Sequence, residues 1–274
     1  MRFSKWHALG NAYLLVERVE LRRELDPDAS RRLCDVHFGV GADGIVEIAA
    51  ADGAEADVVI WNPDGTTAPF SGNGARIAAL WLGRRSGADH VRLRFGARHV
   101  EARLRGFDVE LDVGRVEVGA RDQLEVHGEP LEFTPVAVGN QHAVVRLDFD
   151  ENDVGFYGPL IQSDARFPDG TNVQLVRVLG PHEILVGVWE RGAGATLSSG
   201  SSAVAAAAAA YANGWCESPI TVAFPQAGEL LVEIGDDFRA RLLGPAEPIF
   251  RGEVVAESAL PWGRPPNLDT GGSP

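Results

Sequence analysis

Trp61-Asn62 leads, nine residues beyond Asn62, into Ser71-Gly72-Asn73-Gly74, and Trp189-Glu190 leads over the same interval into Ser199-Gly200-Ser201-Ser202. The two stretches are separated by a constant 128 residues. Upstream, Phe3 to Gly10-Asn11 is echoed by Phe133 to Gly139-Asn140 at 129 to 130 residues. Self-similarity over half the chain means two copies of one unit. Two copies facing each other enclose a cleft of near two-fold symmetry, with a hydroxyl at the start of an apolar helix on each side. Such a cleft suits chemistry on both faces of one small molecule.

Working outward from these loops, Met1 to Glu17 reads as strand, turn at Gly10-Asn11, strand. Val19 to His37 carries helix-like spacing with a start at Asp26-Pro27. Ile45 to Ala49 and Ala56 to Trp61 read as strands, and Gly74 to Leu82 as a buried helix ending near Gly83. Alternating strands follow from Val91 to about Val118. The second copy has strands over Glu132 to Leu147, a less regular stretch to Phe167, and strands through Trp189. Its helix runs from Ser202 to Ala212 and stops at Asn213-Gly214. Ala205 to Ala210 forms an unbroken alanine run, small enough for strands to approach the helix backbone closely. The expected fold is therefore α/β (α+β), with two similar pseudo-two-fold-related domains, each a mixed or antiparallel sheet wrapped around a central helix. The expected bounds are residues 1–117 and 118–274, with a loose tail from about residue 261. A strand around Ile249 to Val254 is free to pack back on the first domain. The acidic cluster Asp148-Asp150-Glu151-Asp153 lacks a calcium-loop pattern and reads as a solvated loop.

The chain has 274 residues, enough for two ordinary domains. Its net charge of −14 argues against broad contact with nucleic acid or an anionic membrane surface. No apolar run reaches the ~18 to 20 residues of a membrane span, and no signal-peptide pattern opens the chain, so a cytoplasmic protein is expected. Cys34 and Cys216 are the only cysteines and lack metal-type spacing; they read as buried or incidental thiols. Lys5 is the only lysine, which argues against pyridoxal phosphate held as a lysine imine. Gly39-Val40-Gly41-Ala42-Asp43-Gly44 satisfies GxGxxG, but a dinucleotide fingerprint follows a strand and opens a helix. Here the helical segment precedes and the strand follows. Neither a metal nor an organic cofactor is expected.

Glycine-rich turns at two helix N-termini leave backbone amides free to bind an anion, aided by the helix dipoles. If the copies face one another, the amides of Gly72, Asn73, Gly200 and Ser201 converge on one carboxylate, and Ser71 and Ser199 flank the adjacent carbon. Taken singly, each serine is an ordinary N-cap. The duplication, with polar Asn62 and Glu190 at matching positions, favours a site.

At these residues the chain resembles the diaminopimelate epimerase family. The matching stretches are His7 to Asn11, Gly39 to Gly44, Asn62 to Gly65, Gly72 to Arg76, Gly139 to His142, Gly170 to Val173 and Glu190 to Gly194, in the family's order. The resemblance implies two α/β domains, each with sheet around a central helix. It implies cofactor-independent inversion of a carbon alpha to a carboxylate by two cysteines working from opposite faces. Ser71 and Ser199 stand at those cysteine positions. His142 and Glu190 match the histidine and glutamate that assist the thiols. Asn62, Asn172, Glu190 and Arg191 match residues holding the distal amino-acid end of diaminopimelate, with Asn11 and Asn140 nearby. Ala12, Gln141, Ala195 and Ser202 also depart from the family pattern, which favours natural divergence over an engineered pair of serine substitutions.

A cysteine starts near pKa 8.5 and falls further at a helix N-terminus. A serine hydroxyl is far less acidic and needs a neighbour's help. The leading expectation is an amino-acid epimerase converting LL- to meso-diaminopimelate, a lysine and cell-wall pathway step, with Ser71, Ser199, His142 and Glu190 at the reacting centre. The alternatives are a catalytically silent amino-acid-binding relative, or a different proton-transfer isomerase using Glu190 or His142, similar to the isomerase of phenazine biosynthesis. The sequence leaves open whether the chain forms a homodimer.

Overall fold

The computed structural model describes residues 1–21 and 23–254; the tail expected from residue 261 lies outside them. The first half runs β1 (Arg2–Ala8), β2 (Asn11–Glu17), α1 (Pro27–Cys34), β3 (Gly44–Asp52), β4 (Glu55–Trp61), β5 (Thr67–Ala68), α2 (Gly72–Ser86), β6 (His90–Phe95), β7 (Arg98–Arg105), β8 (Asp108–Arg115) and β9 (Glu117–Val118). The second runs β10 (Asp122–Val126), β11 (Glu129–Ala137), β12 (Gln141–Arg146), α3 (Glu151–Gln162), β13 (Asn172–Gly180), β14 (Glu183–Glu190), β15 (Gly194–Thr196), α4 (Gly200–Ala212), β16 (Ile220–Phe224), β17 (Gly228–Ile234), β18 (Arg239–Pro245) and β19 (Glu247–Glu253).

The pairings repeat between the halves. β2 and β3 are parallel across α1, as β12 and β13 are across α3. β4 and β6 are parallel across α2, as β14 and β16 are across α4. The remaining neighbours within each half are antiparallel hairpins. Each half is thus a mixed sheet around one central helix, as the duplication predicts.

The final strand of each half crosses to the other. β9 pairs with β11, and β19 pairs with β1. The expectation for Ile249 to Val254 therefore holds, with Phe250 edge-on to Phe3 at 5.9 Å. Between the crossings β8 and β18 pair directly, Leu111 opposite Leu242 near the pseudo-two-fold axis.

Both central helices lie in one continuous apolar core. Ala205 to Ala210 are all fully buried, so α4 is hydrophobic on every side and enclosed by sheet. α2 extends beyond its expected end, through Gly83 to Ser86, and closes on Gly87 in the left-handed conformation (φ 74°). Gly83 is not a stop: a Cβ there would collide with Leu104 Cδ2 and lie 2.8 Å from the Ala88 carbonyl oxygen, so the glycine admits β7 against the helix.

Two expectations need correction. The helical spacing over Val19 to His37 gives only a 3-10 turn at Arg18–Glu20 and α1. The acidic cluster is solvated, but beyond Asp148 it is not a loop. It opens α3, where Asp150 is the N-cap and the Asp153 side chain returns to the Asp150 amide in a capping box. Carboxylates at a helix N-terminus are favoured by its unpaired amides and dipole. Gly155, Gly158 and Pro159 lower the helix propensity of this segment, which hid the helix from pattern reading. Cys34 and Cys216 are both free and buried. α1 precedes the Gly39 to Gly44 loop and β3 follows it.

Candidate active site

The two central helices meet at their N-termini. A Cβ on Gly72 would lie 3.2 Å from Gly200 Cα, and one on Gly200 would lie 3.2 Å from Gly72 Cα. A side chain at either position would be tighter than ordinary packing contact, and the approach brings two sets of first-turn amides to one point. Behind them lies Arg76, fully buried. Its Nη2 donates to Asn73 Oδ1 at 2.8 Å and its Nε to the Pro245 carbonyl on β18 at 3.2 Å. Its Nη1 has no partner and stands 3.2 Å from the Cβ position of Gly200. Burial pulls the guanidinium down to about 10, still a cation at neutral pH. Two helix N-termini and one buried cation make this point of the fold suited to a carboxylate.

Ser71 and Ser199 are the N-caps of α2 and α4, both with extended backbone. Their surroundings differ. Ser71 Oγ accepts from the Gly74 amide at 3.1 Å and lies 3.1 Å from the Tyr13 hydroxyl. Ser199 makes no capping bond. Its Oγ is 3.4 Å from Ser201 Oγ, and it faces the Glu190 carboxylate. Glu190 also accepts from Thr196 Oγ1 at 2.9 Å. Burial raises the Glu190 carboxyl above its ordinary value, against the pull of the Thr196 and Ser199 hydroxyls, and the Asp43 charge adds to the rise.

His142 joins neither serine. It is fully buried, its Nε2 is 2.9 Å from Asn140 Oδ1, and its Nδ1 has no hydrogen-bond partner, although Gln174 stands beside it. Gln174 in turn donates to Ser202 at 3.0 Å. Burial pulls the His142 imidazole down to about 4, so it is neutral at pH 7.

Of the residues read as a distal clamp, Asn172 and Arg191 form a connected pair on the second half, while Asn62 stands apart on the first. Asn172 donates to the Gln141 carbonyl at 3.0 Å and accepts from the Arg191 amide at 3.0 Å. Arg191 is exposed and its guanidinium caps the Asp169 carbonyl at 2.9 Å. Asn62 lies in the turn after β4, donating to Thr66 Oγ1 at 2.9 Å. Asn11 sits at the start of β2 with its Oδ1 buried and unpartnered.

Sequence reading missed three participants. Asp43 fixes the start of β2 where it leaves the Leu9-Gly10 turn, accepting from the Ala12 amide at 2.7 Å while donating its own amide to the Ala12 carbonyl at 2.8 Å. The glycine-rich loop is thus a brace for this turn. Arg76 carries the buried charge. Tyr13 was concealed within the apolar run Tyr13 to Val16, yet the repeat offset of 129 applied to His142 leads straight to it. Among the described residues no group of three or more His, Cys, Asp or Glu side chains is arranged to hold a metal. A groove of about 460 Å³ on the first half, with Trp6, Trp81, Arg84 and Arg251 in its wall, includes none of these residues. No helix among the described residues is long and apolar enough to cross a membrane.

The diaminopimelate epimerase family model matches residues 3–119 and 134–249. Similar chains include diaminopimelate epimerase of Pelotomaculum thermopropionicum, 37% identical over 92% of this chain and 98% of the relative. Diaminopimelate epimerase 2 of a Nostoc strain is 35% identical over 94% and 96%. Among solved structures, a hydroxyproline epimerase from Agrobacterium vitis superposes with TM-score 0.71 at 15% identity, covering 93% of this chain and 90% of that one. A phenazine biosynthesis protein from Bacillus anthracis gives 0.66 at 12%, covering 93% and 99%; at such identities the likeness is one of fold. The duplicated fold, the paired helix N-termini and the sequence matches along both halves together show that this chain belongs to the diaminopimelate epimerase family of amino-acid isomerases.

Proposed function

We propose that this protein is a cofactor-independent epimerase that interconverts LL- and meso-diaminopimelate. Ser71 and Ser199 work on opposite faces of one carbon. The observation that carries this reading is the approach of Gly72 and Gly200, which leaves Ser71 and Ser199 as the last residues before two converging helix N-termini. The substrate carboxylate sits on the amides of Gly72, Asn73, Gly200 and Ser201, with Arg76 behind. There it also stabilises the carbanion, because charge leaving the carbon spreads into a carboxylate already held by preorganised donors. Asn62, Asn172 and Arg191 hold the distal amino-acid end, Asn172 by fixing the Arg191 backbone, while Asn11 and Asn140 line the approach.

Serine needs a partner to serve as base, and Glu190 supplies one. Its raised pKa brings it nearer to working pH, where general acid-base catalysis is most effective. His142 is a positioning group: neutral and bonded to Asn140, it holds the turn at Gly139-Asn140 beside the site.

The test is proton NMR of LL- and meso-diaminopimelate in D₂O, comparing the native chain with a Ser71→Cys, Ser199→Cys variant. The expected result is loss of the alpha-proton signal and appearance of the other isomer with the native chain, faster in the cysteine variant. Exchange by the variant alone overturns the catalytic reading and leaves a binding relative. No exchange by either removes diaminopimelate as substrate.

A further inference from the structure

We propose that Tyr13 is the positioning residue of the Ser71 face, passing its phenolic proton to Ser71 as Ser71 protonates the substrate carbon. This rests on the epimerase reading above and adds the direction in which each face works.

Two independent observations meet at Tyr13. Its hydroxyl is 3.1 Å from Ser71 Oγ, inside the core. Its place in the fold is also that of His142 in the other half. Tyr13 is paired with Gly44 between β2 and β3, and His142 with Asn172 between β12 and β13. Gly44 and Asn172 are related by the same 128 residues that relate Ser71 to Ser199. The pseudo-two-fold axis therefore maps the tyrosine onto the histidine. The longer side chain reaches its serine, and the shorter one turns to Asn140.

Ser71 Oγ accepts from the Gly74 amide. When the Tyr13 phenol donates to the second lone pair, both acceptor positions are filled and the Ser71 proton is free to point into the cleft. The other face has the opposite character, because Ser199 faces a carboxylate. The charged groups around Tyr13 are the carboxylates of Glu190 and Asp43 and the guanidinium of Arg76. Burial, reinforced by those carboxylates, pushes the phenol up to about 12, while the Ser71 contact and Arg76 oppose the rise. The resting enzyme thus has a base behind Ser199 and an acid behind Ser71.

The proton balance closes. On the Ser199 face the Cα–H bond breaks. Its proton goes to Ser199 Oγ while the Ser199 proton passes to Glu190, and the electron pair spreads into the substrate carboxylate. On the Ser71 face that pair takes the Ser71 proton to form the new C–H bond, and the Tyr13 proton moves to Ser71, leaving a phenolate near the Arg76 cation. Water or the protonated Glu190 returns a proton to Tyr13.

The experiment measures kcat, KM and the pH profile for Tyr13→Phe, alone and in a Ser71→Cys background. Phenylalanine keeps the ring and removes only the hydroxyl. The expected result is a fall in kcat of about 10²-fold, within the range for one proton-transfer group, with KM changed less than about threefold. In the Ser71→Cys background the loss shrinks by at least about tenfold, because a thiol supplies its own proton. An equal loss in both backgrounds marks a purely structural tyrosine and overturns the proposal, as does a Tyr13→Phe chain as active as the native one. If the native chain exchanges neither isomer, the epimerase reading falls and this one with it, a result distinct from either of those.

Discussion

Replacing Gly200 by alanine tests the contact between the two central helix N-termini. The added methyl would lie 3.2 Å from Gly72 Cα, 3.2 Å from Leu242 Cδ2 and 3.2 Å from Arg76 Nη1. Each falls short of ordinary van der Waals contact, which begins near 3.4 Å. Leu242 can shift a little. Gly72 Cα cannot move without carrying the start of α2, and Arg76 is held by Asn73 and the Pro245 carbonyl. Overpacking of this kind costs about 1–3 kcal/mol. The stiffer unfolded chain of a Gly→Ala change offsets about 0.4–1 kcal/mol. The net loss is therefore about 1.5 kcal/mol, or about 3–6 °C in Tm at ~2–4 °C per kcal/mol for a chain of this size. Gly155→Ala is the matched control: it lies inside α3, with no heavy atom within 4 Å of the added methyl. It should raise Tm by about 1–3 °C. Thermal unfolding by circular dichroism reads both. Moving one helix N-terminus by tenths of an ångström also disturbs the amides proposed to hold the substrate carboxylate, so isotope exchange should fall about tenfold in Gly200→Ala. If Gly200→Ala melts with or above the native chain while Gly155→Ala behaves as stated, the contact between the helix N-termini is wrong.

Two pH-dependent effects follow from the buried titratable groups. His142 is neutral in the fold down to about 4, whereas an unfolded histidine protonates near 6.5. The folded value is the lower one, so stability is lost as pH falls from 6.5 towards 4, by roughly 3 kcal/mol at 1.36 kcal/mol per pH unit. His142→Gln should flatten the acid side of a Tm-against-pH curve, and an unchanged slope would reject the assignment. Glu190 has the opposite sign: its folded pKa lies above the unfolded one, so its stabilising effect is complete at low pH and is lost as pH rises through the folded value. Glu190→Gln should gain stability over the native chain at neutral pH and match it in acid. The same variant should lose the acid limb of the exchange rate, and retention of that limb would show another group to be the base.

Much of this molecule is legible along the chain because its signals are local. A serine before glycines and an apolar run marks a helix start whatever surrounds it, and six consecutive alanines demand enclosure by something close. The constant offset then doubles each reading. α3 shows where local reading fails: carboxylates in a first helical turn and carboxylates in a solvated loop are the same letters, and only the return of Asp153 to the Asp150 amide separates them. The pairing of β9 with β11 and β19 with β1, the contact of Gly72 with Gly200, and the hydroxyl of Tyr13 on Ser71 were all decided by tertiary structure. Tyr13 and Ser71 are 58 residues apart, and their meeting depends on β2 lying beside β3 and on the side of that sheet where α2 begins. The repeat relates Tyr13 to His142 in sequence, but their different lengths send one side chain to a serine and the other to an asparagine. Caps, periods and offsets are properties of neighbouring residues and so survive in a sequence, whereas the partner of a buried hydroxyl is set by which distant strands pack together.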